Sequence, residues 1–262
     1  MSAKKVERAR KIVDKLGIAL VYPVKDKKVP SLWNELYPGV KMDWAWDEGA
    51  DARVSEVWRL REELARSGTV AYAKWAQGRA TFFSHEVFQA LLGAFDAAGD
   101  PFRGLPDEAI TILESLRERS PQSTKELKAS TDLRGKDNER AFSRATKALW
   151  GRLLIVGVGE VSDGAFPSLL FGATELVFED LWRGRKKVAP AAKKKLEDVL
   201  RRCPAFDREF GRSWRAIHEA DKQLRHGPKK KKRVVKRSEY DERERGPGIS
   251  MGDTTDDTVE SS

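Results

Sequence analysis

The chain has 262 residues, a formal net charge of +9 and 40% hydrophobic residues. This length corresponds to one large domain or two small ones, and the hydrophobic content is sufficient for a core, which argues against a wholly disordered chain. One cysteine, Cys203, excludes an intrachain disulfide, and with only three histidines a Cys/His zinc site lacks ligands. We therefore expect neither a metal nor a thiol-based active site.

No apolar run approaches the roughly 20 residues that span a bilayer, and the basic N-terminus has no apolar stretch behind it. We expect no membrane partner and a cytoplasmic protein associated with the nucleoid. In a eukaryote, the basic string at residues 228–233 would favour the nucleus.

Hydrophobic periodicity and turn residues predict a first half that mixes helices with one hairpin. A helix at 4–16 stops at Gly17, and a second helix at 51–67 stops at Gly68. The other predicted elements are a strand at 18–24, a helical turn at 31–37, a loop at 38–50, hairpin strands at 69–75 and 79–83, and a helix capped by Ser84.

The second half has the order of a winged helix-turn-helix domain: three helices followed by a hairpin. The predicted helices are 107–119, a short one opened by the capping box of Ser123 and Glu126, and 137–153. Asp163-Gly164 lies between two β-rich runs and predicts the hairpin turn.

The predicted fold is mainly α with small β-hairpins (α+β), as tandem winged-helix domains with a disordered tail. The predicted domains are a winged-helix-like domain at 1–99, a second one at 106–183, a basic helical extension at 184–224 and a tail at 225–262.

The third helix of a winged domain is the one that enters the DNA major groove. Here Arg140, Arg144 and Lys147 recur at i, i+4 and i+7 and so share one helical face, while Lys136 and Asn138 lie at its beginning. These five residues are candidate contacts to double-stranded DNA. The alternative is an ordinary solvated face.

The hairpin of the first half is a second candidate surface, because cations and aromatic residues alternate along it as in proteins that stack bases. Lys74, Gln77 and Arg79 are its candidate DNA contacts, beside Trp75 and Phe82. The alternative is that the aromatic residues fill a small core, and for Tyr72 and Phe83 this is the interpretation that we favour.

Two basic blocks, at 183–202 and 222–237, also suit a polyanion, because neutralising phosphates releases counterions. The alternative for the first block is a solvated helix face. The second block belongs to the predicted disordered tail, whose acidic end has few core-forming residues.

Candidate catalytic residues are confined to the string Asp43-Trp44-Ala45-Trp46-Asp47-Glu48. A carboxylate beside an indole can have a raised pKa and act as an acid or base, which makes Asp43, Asp47 and Glu48 candidates. The alternative is that the indoles pin a loop while the acids face water. No hydrolase triad, P-loop or dinucleotide fingerprint is visible, so no cofactor is expected.

The chain resembles the AlkZ-type tandem winged-helix DNA glycosylases, and most closely their uncharacterised relatives, over about residues 4–183. The strings that carry the resemblance are Leu16-Gly17, Pro30-Ser-Leu-Trp33, Trp58-Arg-Leu-Arg-Glu-Glu63, Lys74-Trp75, Gly78-Arg-Ala-Thr-Phe-Phe-Ser84 and Gly159-Glu-Val-Ser-Asp-Gly-Ala-Phe-Pro-Ser168.

This resemblance implies a concave DNA-binding surface and the release of alkylated or crosslinked bases by a Gln-aliphatic-Gln triplet after the Leu-Gly pair. The chain departs from the triplet, because Leu20 and Tyr22 stand where the glutamines would be. Our leading hypothesis is a DNA-binding protein of repair or regulation without that chemistry. The alternatives are a glycosylase with a divergent site and a protein-interaction module.

Overall fold

The computed structural model describes residues 2–25, 28–43, 51–162 and 167–226, and it has a helix-rich α+β fold with two small antiparallel sheets. Ser84 caps the helix His85–Ala98 by accepting a hydrogen bond from the Val87 N–H. Gly17 and Gly68 have positive φ and follow the helices Ala3–Leu16 and Ala52–Ser67, so these three predicted boundaries are confirmed. The first half contains α1 (Ala3–Leu16), β1 (Ile18–Leu20), α2 (Leu32–Leu36), α3 (Ala52–Ser67), β2 (Ala71–Lys74), a 3-10 turn (Ala76–Gly78), β3 (Ala80–Phe83) and α4 (His85–Ala98).

The first sheet has the order β1-β3-β2 and is covered on both faces. Leu20 and Phe83 point into the core shared with α4, whereas Tyr72 and Phe82 point into a second core under α1 and α3. The predicted burial of Tyr72 and Phe83 is therefore confirmed. Because both faces are covered, these strands do not alternate, and they are apolar except for the exposed Lys74 at the end of β2 and the buried Thr81 of β3.

The second half ends in two paired antiparallel strands, as predicted, while the predicted turn residues Asp163 and Gly164 lie outside the described residues. Ser123 and Glu126 form the predicted capping box. Helix α7 begins two residues later than expected because residues 136–138 form a turn. The second half contains α5 (Asp107–Glu118), β4 (Gln122–Ser123), α6 (Thr124–Ser130), α7 (Glu139–Gly151), β5 (Ile155–Val161) and β6 (Ser168–Ala173).

The two halves repeat one topology. Each runs helix, strand, helix, helix, strand, strand, and the sheet order β4-β6-β5 matches β1-β3-β2. In both sheets the short first strand pairs with the last strand of the hairpin. Helix α3 of the first half therefore corresponds in order to α7 of the second.

The basic region after residue 183 folds back onto the first half. Phe210 of α11 stacks on Phe95 of α4 with ring centroids 5.7 Å apart, and Lys195 of α10 lies 2.6 Å from Glu86. Cys203 is a buried free thiol between these two helices. The part of the chain that follows β6 contains α8 (Thr174–Val177), α9 (Glu179–Gly184), a 3-10 turn (Arg185–Lys187), α10 (Pro190–Arg202) and α11 (Pro204–His226).

The two halves pack against each other through β2, α3 and β5. Arg61 of α3 pairs with Glu160 of β5, and both side chains are only 9% exposed. A methyl group on Gly157 would overlap the Tyr72 ring, so the sheets approach as closely as a glycine permits. One hydrophobic core runs from β1 to α11 across the predicted boundary at 99–106, while the predicted division into four domains stays a prediction.

Candidate nucleic-acid interface

The exposed stripe of α7 has the geometry that its spacing predicts. Phe142, Ala145 and Leu149 are buried on one side of the helix, and Arg140, Arg144 and Lys147 are exposed on the other. The Arg144 guanidinium lies 3.1 Å from the Glu108 carboxylate but is still 64% exposed. Within the described part of the chain, Arg140 and Lys147 have no carboxylate at ion-pairing distance.

At the beginning of α7, Asn138 and Glu139 have partners within the protein, unlike most of the stripe. The Asn138 amide donates to the carbonyls of Asp132 at 3.3 Å and Arg134 at 2.9 Å, so it holds the preceding loop. Glu139 in the first turn lies 2.6 Å from Lys128. Lys136 is exposed on this loop, next to the stripe in sequence.

The hairpin turn presents its polar residues outward and its aromatic residues inward. Trp75 and Phe82 are buried, so they are not available to stack on bases and the alternating cation-aromatic surface is not formed. The Trp75 indole N–H donates to the Gly151 carbonyl, at the end of α7, over 3.2 Å. Gln77 and Arg79 are exposed, and Gln77 has a left-handed backbone with φ 55°. A non-glycine residue in that region is strained and is held there by its surroundings.

Lys74 lies apart from Gln77 and Arg79. Its ammonium group interacts electrostatically with Arg61 and Glu160, at the contact between the two halves. Partial burial and the Arg61 guanidinium lower the pKa of Lys74, and Glu160 offsets this only partly. Lys74 thus belongs to the internal contact between the halves as well as to the surface.

Helix α11 meets both the turn and the end of α7, and no pattern in the sequence predicts these contacts. The buried carboxylate of Glu209 accepts a hydrogen bond from the Gln77 N–H at 3.1 Å. One turn further along, Ser213 packs against Gly151, where an added Cβ would lie 3.4 Å from the Ser213 hydroxyl. Because Gly151 follows Lys147 by four residues, α11 crosses the end of the basic stripe.

The candidate catalytic acids are not assembled into a site by the described residues. Asp43 is exposed at the surface, while Asp47 and Glu48 lie outside the described residues. No group of His, Cys, Asp and Glu residues suited to a metal ion occurs in the described ranges. None of the described helices is long and apolar enough to cross a membrane.

The positions that replace the glutamine triplet are structural in this chain. Leu20 is 1% exposed and pairs in register with Thr81 in the first sheet. The Tyr22 hydroxyl donates to the Val54 carbonyl at 2.9 Å. Burial raises the pKa of Tyr22 to about 12 although Arg61 opposes this shift, so the phenol is neutral at physiological pH.

A family model described as AlkZ-related matches residues 3–209, and the chain belongs to this family. The match includes both halves, α10 and the beginning of α11 up to Glu209. No curated protein and no solved structure matches the chain. The family relationship connects the protein with the glycosylase-like proteins of DNA repair.

Proposed function

We propose that the protein binds double-stranded DNA through the α7 stripe, as a tandem winged-helix protein of DNA repair or regulation. The observation that carries this proposal is the exposed Arg140–Arg144–Lys147 stripe on the third helix of the second half. Only Arg144 of the three is ion-paired within the described residues, so the positive charge is available to phosphates.

The repeated topology supports the winged-helix assignment for both halves. Helix, strand, helix, helix and hairpin, with the first strand added at the edge of the hairpin, is the order expected of that domain, and it occurs twice. The two copies are not equally suited to DNA, and the difference lies in their third helices.

Alignment of the buried residues of the two helices makes this difference visible. When Val57, Leu60 and Leu64 of α3 are superposed on Phe142, Ala145 and Leu149 of α7, the stripe positions of α3 fall on Ser55, Arg59 and Glu62. That face has no net positive charge. The α3 helix also packs against β5, where Arg61 pairs with Glu160. We therefore assign DNA contact to α7 and internal packing to α3.

The test is duplex binding as a function of salt, with the double substitution Arg140→Glu/Arg144→Glu. Loss of two phosphate contacts should reduce the slope of log affinity against log salt by about 2 and weaken binding roughly tenfold or more at fixed salt. The matched control is Arg8→Glu/Arg59→Glu, an equal charge change at exposed arginines of α1 and α3. Equal losses in both variants would show that only net charge matters and would reject the α7 interface.

A second candidate function, favoured by the family relationship, is a DNA glycosylase with a divergent site. Leu20 and Tyr22 supply no amide at the triplet positions, so the chemistry would have to come from carboxylates such as Asp43, Asp47 or Glu48. A base-release assay on alkylated and crosslinked duplexes separates the candidates. Product that disappears in Asp47→Asn supports the enzyme, whereas no product from any lesion leaves DNA binding as the function.

A further inference from the structure

We infer that α11 forms a second wall of the DNA interface, with Arg208 and Arg212 contacting phosphates and Glu209 positioning the hairpin turn beside them. This inference rests on the proposed function and extends it to residues outside the winged-helix halves. It starts from the crossing of α11 over the end of the α7 stripe.

The contacts of α11 define which of its sides faces the stripe. Glu209 points at the hairpin turn and Ser213 at Gly151, while Phe210 points away from them toward Phe95 of α4. At 3.6 residues per turn, Arg208 and Arg212 follow Glu209 around the helix on the side opposite to Phe210. They therefore lie on the flank beside the turn, and both are exposed.

The Glu209 carboxylate has two partners that account for its burial. One is the Gln77 N–H, and the other is the Arg212 guanidinium, at 3.0 and 3.1 Å from the two carboxylate oxygens. A buried carboxylate requires such partners, because an unpaired charge away from water is costly. Through these two hydrogen-bonded partners, Glu209 connects the strained turn to α11 and keeps Gln77 and Arg79 next to Arg212.

The assembled surface brings together cations that are far apart in sequence. Trp75 and Glu209 fasten the turn to α7 and α11, respectively, so the basic stripe, the turn and the α11 flank are neighbours. A duplex lying along the α7 stripe would meet the α11 flank at the Gly151 end. The members of this surface are Arg140, Arg144, Lys147, Gln77, Arg79, Arg208 and Arg212.

The first experiment measures the salt dependence of duplex binding by full-length Arg208→Ala/Arg212→Ala. The matched control is Arg201→Ala/Arg202→Ala on α10, which removes two exposed arginines from the neighbouring helix. We expect the salt slope to fall by about 2 in the α11 variant and to stay near the wild-type value in the control. Equal slopes in the two variants would overturn the inference.

The second experiment separates a positioning role of Glu209 from a simple charge effect. Removing a negative charge near DNA should strengthen binding if charge alone matters. If Glu209 positions the turn, Glu209→Ala should bind more weakly than wild type, whereas Glu209→Gln, which keeps an acceptor oxygen for the Gln77 N–H, should bind as well or better. Tighter binding by Glu209→Ala, measured below its melting temperature, would overturn the positioning role.

The experiments distinguish a failure of the proposed DNA-binding function from a failure of the inference about α11. If wild-type protein binds no duplex at low salt, the proposed function fails and this inference fails with it. If Arg140→Glu/Arg144→Glu weakens binding but the α11 variants do not, the proposed function stands and only the α11 wall is rejected.

Discussion

Arg61 illustrates how a charged residue can serve packing instead of recognition. Its guanidinium pairs with Glu160 and lies 4.0 Å from the centre of the Trp58 ring, so one side chain joins α3 to β5. Among the described residues, no group at hydrogen-bonding geometry is found for two buried atoms nearby, Arg61 Nε and the Tyr72 hydroxyl oxygen. An ion pair of this kind adds little net stability, yet breaking it is costly because the remaining charge stays buried.

We predict that Arg61→Met lowers the free energy of unfolding by about 3–5 kcal/mol, because Glu160 is left buried and unpaired. The double variant Arg61→Met/Glu160→Gln should recover a large part of this loss, since no net charge remains at the contact. Urea denaturation of the two single variants and the double variant measures the coupling. Additive losses would mean that the pair does not act as a unit.

The elements of this protein show why periodicity predicts the face of a helix but not its neighbour. The basic stripe of α7 follows from residues spaced by three and four, and the structure has it where the spacing predicts. In the first half, α3 has the same place in the topology but a different environment, because β5 packs against it. Strand β5 also lies close to β2, and this approach is possible because position 157, which faces the Tyr72 ring, is a glycine.

We predict that Gly157→Ala destabilises the protein by about 1–3 kcal/mol, because the new methyl group would overlap the buried Tyr72 ring and overpack the contact between the sheets. The matched control is Gly211→Ala in α11, where the added Cβ would meet only the flexible end of Arg215. That substitution should leave stability unchanged or raise it by about 0.5–1 kcal/mol through helix propensity. Thermal melting of both variants provides the comparison, and a Gly157→Ala protein as stable as wild type would contradict the close approach.

At the scale of the whole molecule, the net charge of +9 is unevenly distributed. Residues 183–202 contain nine basic and two acidic residues, while residues 227–262 contain nine basic and eight acidic residues. Some of the cations in the first block are engaged: Arg185 pairs with Asp96 and Lys195 with Glu86. Residues 1–226 retain a net charge of +8.

We predict that deletion of residues 227–262 leaves duplex binding in place, with a smaller salt slope, because the α7 surface belongs to the remaining chain. The deletion changes the net charge only from +9 to +8, so a large effect could not be a net-charge effect. Binding measured beside full-length protein at several salt concentrations provides the test. Complete loss of binding would favour the hypothesis of a protein-interaction module, in which the folded part binds a protein and the basic tail alone contacts nucleic acid.

The local structure of this protein can be read from the amino-acid sequence, because periodicity, caps and turn residues act over a few neighbouring positions. Sequence patterns were sufficient to predict the Ser84 cap, the Ser123–Glu126 capping box and the exposed basic face of α7. They were also sufficient to recognise the AlkZ-related family. Which of the predicted contact residues lie together depends on tertiary packing. Lys74 lies with Arg61 and Glu160, whereas Gln77 is held by Glu209, 132 positions away. Such pairings depend on how two sheets and a distant helix pack, and no local pattern encodes them.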